Sequence, residues 1–203
     1  GGNQINFRVQ DSNSDLLLKT DSQAFKVNLY HAGNQKLETA AGGINITGEV
    51  TASGNISSSG TISGQAGLTQ HSITGTTDGE GKGDVVYLGG TTSMTAGAIY
   101  HYKSDGTWEL ADADAASTSD GLLAVALGAS SDVNGMLLRG MVTLDHDPGA
   151  VGDVLYLSTT AGDATATAPS GNGDIVRIIG YCLDASNGQI WFNPDSTFVE
   201  VNA

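Results

Sequence analysis

The sequence is poor in cysteine, proline and charge, and it has no long apolar run. One cysteine, Cys182, excludes a disulfide within the chain and any cysteine cluster that binds zinc or an iron–sulfur centre. Three prolines among 203 residues exclude collagen-like and proline-rich architectures. No segment approaches the roughly 20 apolar residues of a membrane-spanning helix, so we do not expect membrane insertion.

Basic residues are scarce as well, and the formal net charge is -14. Residues 1–71 hold four basic and five acidic residues, whereas residues 72–203 hold four basic and seventeen acidic ones. An acidic surface repels phosphate backbones and anionic lipids, so nucleic acid is not an expected partner. Two interpretations of the acidity stay open: solubility, or divalent-cation binding by Asp-rich loops. Because the chain begins with Gly1, we expect it to be a segment of a longer polypeptide.

Short apolar alternations fill residues 5–39, separated by turn-forming stretches at 11–15 and 21–22. Period-two alternation between turn signals predicts short antiparallel strands. So few strands do not close a core alone, and residues 1–41 are therefore expected to form an N-terminal β segment that needs partners. The alternating apolar residues are Ile5, Phe7, Val9, Leu16, Leu18, Phe25, Val27 and Leu29.

Residues 42–72 carry a six-residue period. Six is even, so in an extended chain all repeated positions face one side, and only Ser58 among the fourteen even positions from 42 to 68 is polar. This pattern predicts a strand with one apolar face and one polar face. Its repeated positions are Gly48, Gly54 and Gly60, with Ile44, Ile46, Val50, Ile56, Ile62 and Leu68.

One chain is too short to bury this apolar stripe in a β-helix. A hexapeptide β-helix uses three six-residue units for each turn, so the five units here give fewer than two turns, whereas roughly three repeats must stack to sustain a core. We therefore predict an intertwined homotrimeric β stalk, with the branched residues on the axis and the glycines allowing close approach of the backbones. The alternative is a disordered Gly/Ser linker, which the composition also fits.

Residues 73–203 are expected to form an all-β head with a sandwich-like or barrel-like architecture and an internal duplication. The segment Gly83–Leu88 (GDVVYL) returns as Gly152–Leu157 (GDVLYL), and apolar runs before Asn134-Gly135 and Asn187-Gly188 also match. Asn-Gly between apolar runs is typical of two-residue type I′ hairpins. Strands at 136–142 and 189–192 should follow these turns. We expect Tyr87, Tyr156, Ile178, Trp191 and Cys182 in the core.

No catalytic motif is found, and no enzymatic activity, cofactor or metal is predicted. Gly75 to Lys82 lacks the spacing of a phosphate loop, and the sequence has neither a Gly-x-Ser-x-Gly elbow nor His-Glu-x-x-His. The four histidines are scattered and are expected at the surface or as caps. The segment 145–147 (DHD) offers oxygen and nitrogen ligands, and Asp112, Asp114 and Asp120 form an acidic loop, but each has a simpler interpretation as a solvated turn.

A cluster of aromatic residues is the candidate ligand site. Tyr100, Tyr102 and Trp108 lie in a segment that the second copy of the duplication lacks, and loops added to a scaffold often carry binding residues. Aromatic faces stack on sugar rings, and nearby Asp105 and Glu109 are hydrogen-bond acceptors for hydroxyl groups. The alternative is that these aromatic rings pack under their own loop.

The segment Tyr30–Thr39 (YHAGNQKLET), which continues into GINITG at 43–48 and VTASG at 50–54, resembles tail-fibre and related structural proteins of tailed bacteriophages, with cyanophages and marine phages most similar. The region from Gly152 to Gly180 is similar to modules at fibre ends and on capsid surfaces. The resemblance covers most of the chain. It implies a homotrimeric virion protein that faces the host and binds a surface glycan or outer-membrane protein. It transfers no receptor site to particular residues.

These observations favour a distal tail fibre that attaches to the host cell as a homotrimer and contacts other virion proteins. The alternative is a capsid head fibre or a trimeric capsid decoration protein. A glycan depolymerase is disfavoured, since the stalk is too short for the long right-handed β-helix that carries the carboxylate pairs of such enzymes.

Overall fold

The computed structural model describes residues 7–12, 16–21, 26–53 and 75–202. The chain is all-β with antiparallel sheets, as the sequence predicts. It divides into two compact units, Gly1–Gln65 and Ala66–Ala203. In the described ranges, no helix has both the length and the apolar character needed to cross a membrane.

The N-terminal unit contains a five-stranded antiparallel sheet in which strand order follows chain order. The predicted alternation of apolar residues therefore produces the expected short strands. The predicted stalk begins inside this sheet, because its first residues form the fifth strand. The strands are β1 (Arg8–Gln10), β2 (Leu16–Asp21), β3 (Lys26–His31), β4 (Asn34–Ala40) and β5 (Gly43–Ile46).

The hairpin between β3 and β4 has a two-residue turn at Ala32 and Gly33. Both residues have positive φ, 48° and 74°, and His31 pairs directly with Asn34. Positive φ at both central residues is the type I′ geometry, which matches the twist of the flanking strands. The Asn34 side chain donates to the Ala32 carbonyl over 3.0 Å and holds the turn.

The C-terminal unit is built on a nine-stranded antiparallel sheet that curls into a half-barrel. A single four-residue helix, α1, precedes β9 in this described part of the chain. A small second sheet pairs β13 with β16. The elements are β6 (Gly81–Val86), β7 (Ile99–Tyr102), β8 (Trp108–Leu110), α1 (Ala116–Ser119), β9 (Leu123–Ala126), β10 (Met136–Thr143), β11 (Val154–Leu157), β12 (Ala164–Thr165), β13 (Ile175–Val176), β14 (Ile178–Asp184), β15 (Gln189–Phe192) and β16 (Val199–Glu200).

The large sheet repeats one pairing pattern. Its strand order is β12-β11-β14-β15-β10-β9-β7-β8, with β6 on the far side of β10. In this pattern two strands form a hairpin, a third strand pairs with the first strand of the hairpin, and a fourth strand pairs with the third. This description fits β7, β8, β9 and β10, and equally β11, β12, β14 and β15.

The repeat differs from the alignment that the sequence predicts. The matching hexapeptides lie on β6 and β11, but β6 pairs with β10 whereas β11 pairs with β14 and β12. By strand pairing, the counterpart of β11 is β7. The similarity of Gly83–Leu88 to Gly152–Leu157 therefore does not mark equivalent places in the sheet.

Both predicted Asn-Gly hairpins join paired strands, but neither has a two-residue turn. Nine residues separate Ala126 from its partner Met136, and Asn134 has an ordinary negative φ. The Asn134 side chain instead accepts a hydrogen bond from the backbone N–H of Ser130. In the second hairpin Asp184 pairs with Gln189, and its carboxylate accepts bonds from the loop residues between them.

The main core cluster of the large sheet is built from alternate residues of its strands, and the predicted core residues are mostly one position out of phase with it. Cys182 is buried as expected, but Tyr87 is 63% exposed, and Tyr156, Ile178 and Trp191 are only half-buried. Successive side chains on a strand face opposite sides, so the neighbours of these residues point inward. The inward side chains include Leu155, Leu157, Ile179, Ile190 and Phe192.

Candidate functional site

The apolar stripe begins on the edge strand of the N-terminal sheet and is exposed there. Ile44 and Ile46 of β5 are 62% and 46% exposed, and Val50 is 61% exposed. Gly48, between them, has a φ of +120°, which only glycine adopts without strain. The rest of the predicted axis, Gly54, Ile56, Gly60, Ile62 and Leu68, lies outside the described residues.

The stripe continues across the sheet as a row of apolar side chains. Residues directly opposite each other in neighbouring antiparallel strands point to the same face. The register therefore places five apolar residues side by side, one from each strand: Val9, Leu18, Leu29, Leu37 and Ile46. The next row on this face contains Thr20, Val27, Thr39 and Ile44.

The opposite face of the same sheet is polar. Its central row, one residue along each strand, contains Arg8, Lys19, Asn28, Glu38 and Asn45. Asn45, Lys26 and Gln35 donate hydrogen bonds to the carboxylate of Glu38, and these bonds lower the pKa of Glu38 below its usual value. The sheet is therefore amphipathic: the charged side chains of its two central rows all lie on the polar face, and none lies on the apolar face.

The predicted ligand site is mostly buried. Trp108 of β8 is 4% exposed, and its indole N–H donates to the Leu88 carbonyl over 2.9 Å. Tyr100 is also buried, and its hydroxyl accepts a bond from the Thr95 N–H. Tyr102 packs against Trp108 with ring centroids 4.8 Å apart. These rings fill a second apolar cluster with Met94, Ala124 and Met136, so stacking on a sugar would require them to leave it.

Asp105 is the predicted site residue that does lie at the surface, where it organises the turn between β7 and β8. Its carboxylate accepts bonds from the hydroxyl and the backbone N–H of Thr107, at 2.7 and 3.0 Å, and Lys103 Nζ lies 3.2 Å away. These interactions lower the pKa of Asp105 to about 2. The contribution of the turn to stability is therefore present above the ordinary carboxyl pKa of about 4, and it is lost as the pH falls from there to about 2.

We expect Thr107→Val to raise the pKa of Asp105 toward the ordinary value, because the hydroxyl makes the largest contribution to the shift. Carboxyl-carbon chemical shifts recorded as a function of pH measure this directly. Ser104→Ala, in the same turn but outside these bonds, is the control and should leave the titration near pH 2. Equal titration curves for parent and Thr107→Val would show that the hydroxyl does not hold the carboxylate.

Two residues of the acidic segment 145–147, Asp145 and His146, form a cluster with Asp163 and not with Asp147. Asp145, His146 and Asp163 place one ligand-type atom each within 4.8 Å of one another. The Ala164 N–H donates to His146 Nε2 over 2.9 Å, so the ring proton lies on Nδ1, which is 2.9 Å from Asp145 Oδ1. Nε2 thus joins the loop after β10 to β12, and Nδ1 contacts Asp145 within the same loop. The third member, Asp163, lies 3.6 Å from Nδ1, and burial raises the pKa of its carboxyl.

The second acidic loop does not come together as a ligand set. Asp112 accepts a bond from the Asp114 N–H within the loop, and repulsion by Asp112 raises the pKa of Asp114. Burial lowers the pKa of Arg177, and the carboxylates of Asp120 and Asp195 act in the opposite direction. Asp120 therefore lies beside Arg177 and not in a ligand set with the other two aspartates.

Two buried side chains were not expected from the sequence. His101, expected at the surface or as a cap, is buried on β7 with Nε2 3.6 Å from Glu109 Oε2 of β8. Arg177 is 4% exposed and donates to three backbone carbonyls. Neither residue stands in a motif, so local pattern has no signal that separates them from surface residues.

Comparisons with protein-family models, with curated proteins and with solved structures found no match to this chain. What the chain does is therefore inferred from its own residues.

Proposed function

We propose that this chain is the distal part of a homotrimeric tail fibre of a tailed bacteriophage, a virion protein that attaches to the host-cell surface. The observation that carries the proposal is the exposure of Ile44, Ile46 and Val50, the first members of an apolar series that continues in sequence to Leu68. Exposed β-branched side chains at regular even spacing are costly in a single chain. Copies that meet around the stripe remove that cost.

Attachment in this proposal needs no covalent chemistry. Three copies on one stalk present three identical acidic heads, and each head binds a repeated glycan or outer-membrane protein weakly. Linked sites raise the overall affinity well above that of one site, by about 10²–10⁴-fold, when the receptor is repetitive.

The test measures the mass of the protein in solution and its binding to bacterial cells. Sedimentation equilibrium of the purified chain should give three times 20.6 kDa. Ile56→Asp would place three carboxylates on the axis, so it should lower the mass toward that of one chain, because unpaired buried charges are strongly disfavoured. Fluorescently labelled parent protein should bind susceptible bacterial cells about 100-fold more tightly than this variant.

A solution mass of one chain for the parent would contradict the trimer. Equal cell binding by parent and Ile56→Asp would contradict multivalent attachment. Release of new reducing ends from host polysaccharide would show a depolymerase instead. Antibody-labelled electron microscopy of the particle distinguishes a tail position from a capsid position.

A further inference from the structure

We propose that the apolar face of the N-terminal sheet is itself the surface on which copies of this chain associate, so that the trimer contact starts at β1 and not at residue 42. The apolar face is defined by Val9, Leu18, Leu29, Leu37 and Ile46 together with Thr20, Val27, Thr39 and Ile44. This inference rests on the proposed trimer and extends its contact surface by four strands.

At the centre of this sheet, on β3, burial is inverted relative to polarity. Asn28, on the polar face of β3, is 6% exposed, whereas its neighbour Leu29, at the centre of the apolar face, is 40% exposed. In the apolar row, Val9, Leu29 and Ile46 are exposed, and Leu18 and Leu37 are half-buried. An antiparallel sheet with one apolar face is normally stable only when that face is covered. The inversion therefore indicates that a second molecule covers the apolar face.

The charge distribution selects another copy of this chain as that molecule. The apolar face has no charged side chain in either described row, so two copies meet there without like-charge contact. Residues 1–71 carry a net charge of only -1, while residues 72–203 carry -13. Contacts between heads are therefore repulsive and contacts between N-terminal sheets are not. A basic or acidic partner would find no complementary charge on this face.

The size of the face fits an interaction site that supplements the stripe. Five strands about 4.8 Å apart, each contributing about five residues at 3.3 Å, cover about 400 Å², which is the size of the largest, often functional, apolar patches on single proteins. Shared over three pairwise contacts, this area is below the roughly 1,200 Å² of a specific pairwise interface, so the face adds to the contact along the stripe and does not hold the trimer alone. The even-position series beyond β5 has the same parity as Ile44 and Ile46, so in sequence it continues this face and adds to the area.

A matched pair of lysine substitutions in the full-length chain tests the surface. Leu29 and Tyr30 are adjacent on β3, outside the stripe of residues 42–72, and they point to opposite faces of the sheet. Leu29→Lys would bury one ammonium per copy in the trimer and should raise its dissociation constant about 100-fold or more. Tyr30→Lys places the same group on the polar face and should leave the mass of the assembly unchanged. Sedimentation equilibrium over a range of concentrations measures both.

Disulfide trapping provides a second measurement that does not depend on tolerance of a charge. Leu29→Cys should form disulfide-linked dimers under mild oxidation, seen on a non-reducing gel, whereas Tyr30→Cys should not. Cys182 is buried and does not compete.

The outcomes separate this inference from the proposed function. A trimeric parent whose mass falls with Leu29→Lys but not with Tyr30→Lys supports the inference. A trimeric parent that stays trimeric with Leu29→Lys, and whose Leu29→Cys form is not cross-linked, overturns the inference but leaves a trimer held by the stripe of residues 42–72. A monomeric parent overturns both.

Discussion

Gly140→Ala is expected to lower the melting temperature of the C-terminal unit by about 10 °C. Gly140 lies in the middle of β10, opposite Gly83 of β6 on one side and Phe192 of β15 on the other. Its φ of +141° is available almost only to glycine. A β-carbon at this position would overlap the Lys82 carbonyl oxygen and lie 2.7 Å from the Gly83 α-carbon.

Both obstructing atoms belong to the backbone, so no side chain can rotate away to make room. The strained φ costs about 1–3 kcal/mol, and steric overlap in a packed region costs a similar amount. We therefore expect a loss of about 3 kcal/mol. That is a large fraction of the 5–15 kcal/mol that stabilises a typical domain. Phe192, which pairs with Gly140, lies in the main core, so a shift of β10 there should destabilise the whole half-barrel.

Gly173→Ala separates the two contributions. Gly173 also has a positive φ, +91°, but a β-carbon there would meet no atom within 4 Å. This control should therefore lose only the conformational part, about 1–2 kcal/mol. Thermal unfolding followed by near-ultraviolet circular dichroism measures both variants. Equal losses in the two would mean that β6 and β10 move apart at no cost, and that their close approach does not hold the sheet.

Local pattern in the sequence was sufficient to predict the strands of the N-terminal sheet. Alternation with period two places Leu18, Leu29 and Ile46 on one face, and the structure has them in one cross-strand row. The same reasoning predicted that the chain does not bury the start of the stripe by itself, because residues 42–72 are too few to cover their own apolar positions. Ile44 and Ile46 are exposed in the structure. The order in which the strands pair could not be predicted, because it depends on contacts between strands and not on the spacing of residues within one strand.

The large sheet shows where alternation fails. Trp191 and Tyr156 are the bulkiest apolar residues on their strands, so size alone predicts them as core. The smaller neighbours Ile190, Phe192 and Leu155 are buried instead, because the register that turns one face of a strand toward the core fixes the phase of every residue on that strand. Arg139 covers part of the outward Trp191 ring, with its guanidinium carbon 5.9 Å from the ring centroid. Such an outward aromatic residue is stabilised without being buried.

The aromatic segment was also ambiguous for a physical reason. Tyr100, Tyr102 and Trp108 have the composition of a sugar-binding surface and of a small core alike. The hydrogen bond from the Trp108 indole to Leu88 decides the observed geometry, and it depends on a loop twenty residues away. No local pattern encodes a partner at that distance.

Arg177→Met is expected to destabilise the C-terminal unit by about 3 kcal/mol. Arg177 stands between β13 and β14, and its guanidinium donates to the carbonyls of Ser119, Gly121 and Asp195, at 2.6, 2.9 and 2.8 Å. One side chain thus joins the end of α1, the connection between α1 and β9, and the segment after β15. Methionine fills a similar length but donates no hydrogen bond, so the Ser119 carbonyl is left buried without its partner. A buried unsatisfied carbonyl costs about 1–3 kcal/mol, and the two half-buried ones add to this.

Arg177→Lys is the control for charge. It keeps the positive charge beside Asp120 and Asp195, but a single ammonium does not reach three carbonyls in the planar fork of a guanidinium. If directional hydrogen bonds hold the three segments together, lysine should recover less than half of the loss. If charge alone matters, lysine should recover nearly all of it, and that result would contradict the role assigned to the guanidinium. Urea denaturation distinguishes the two, because a lower midpoint at unchanged slope reports lost stability without a change in the surface exposed on unfolding.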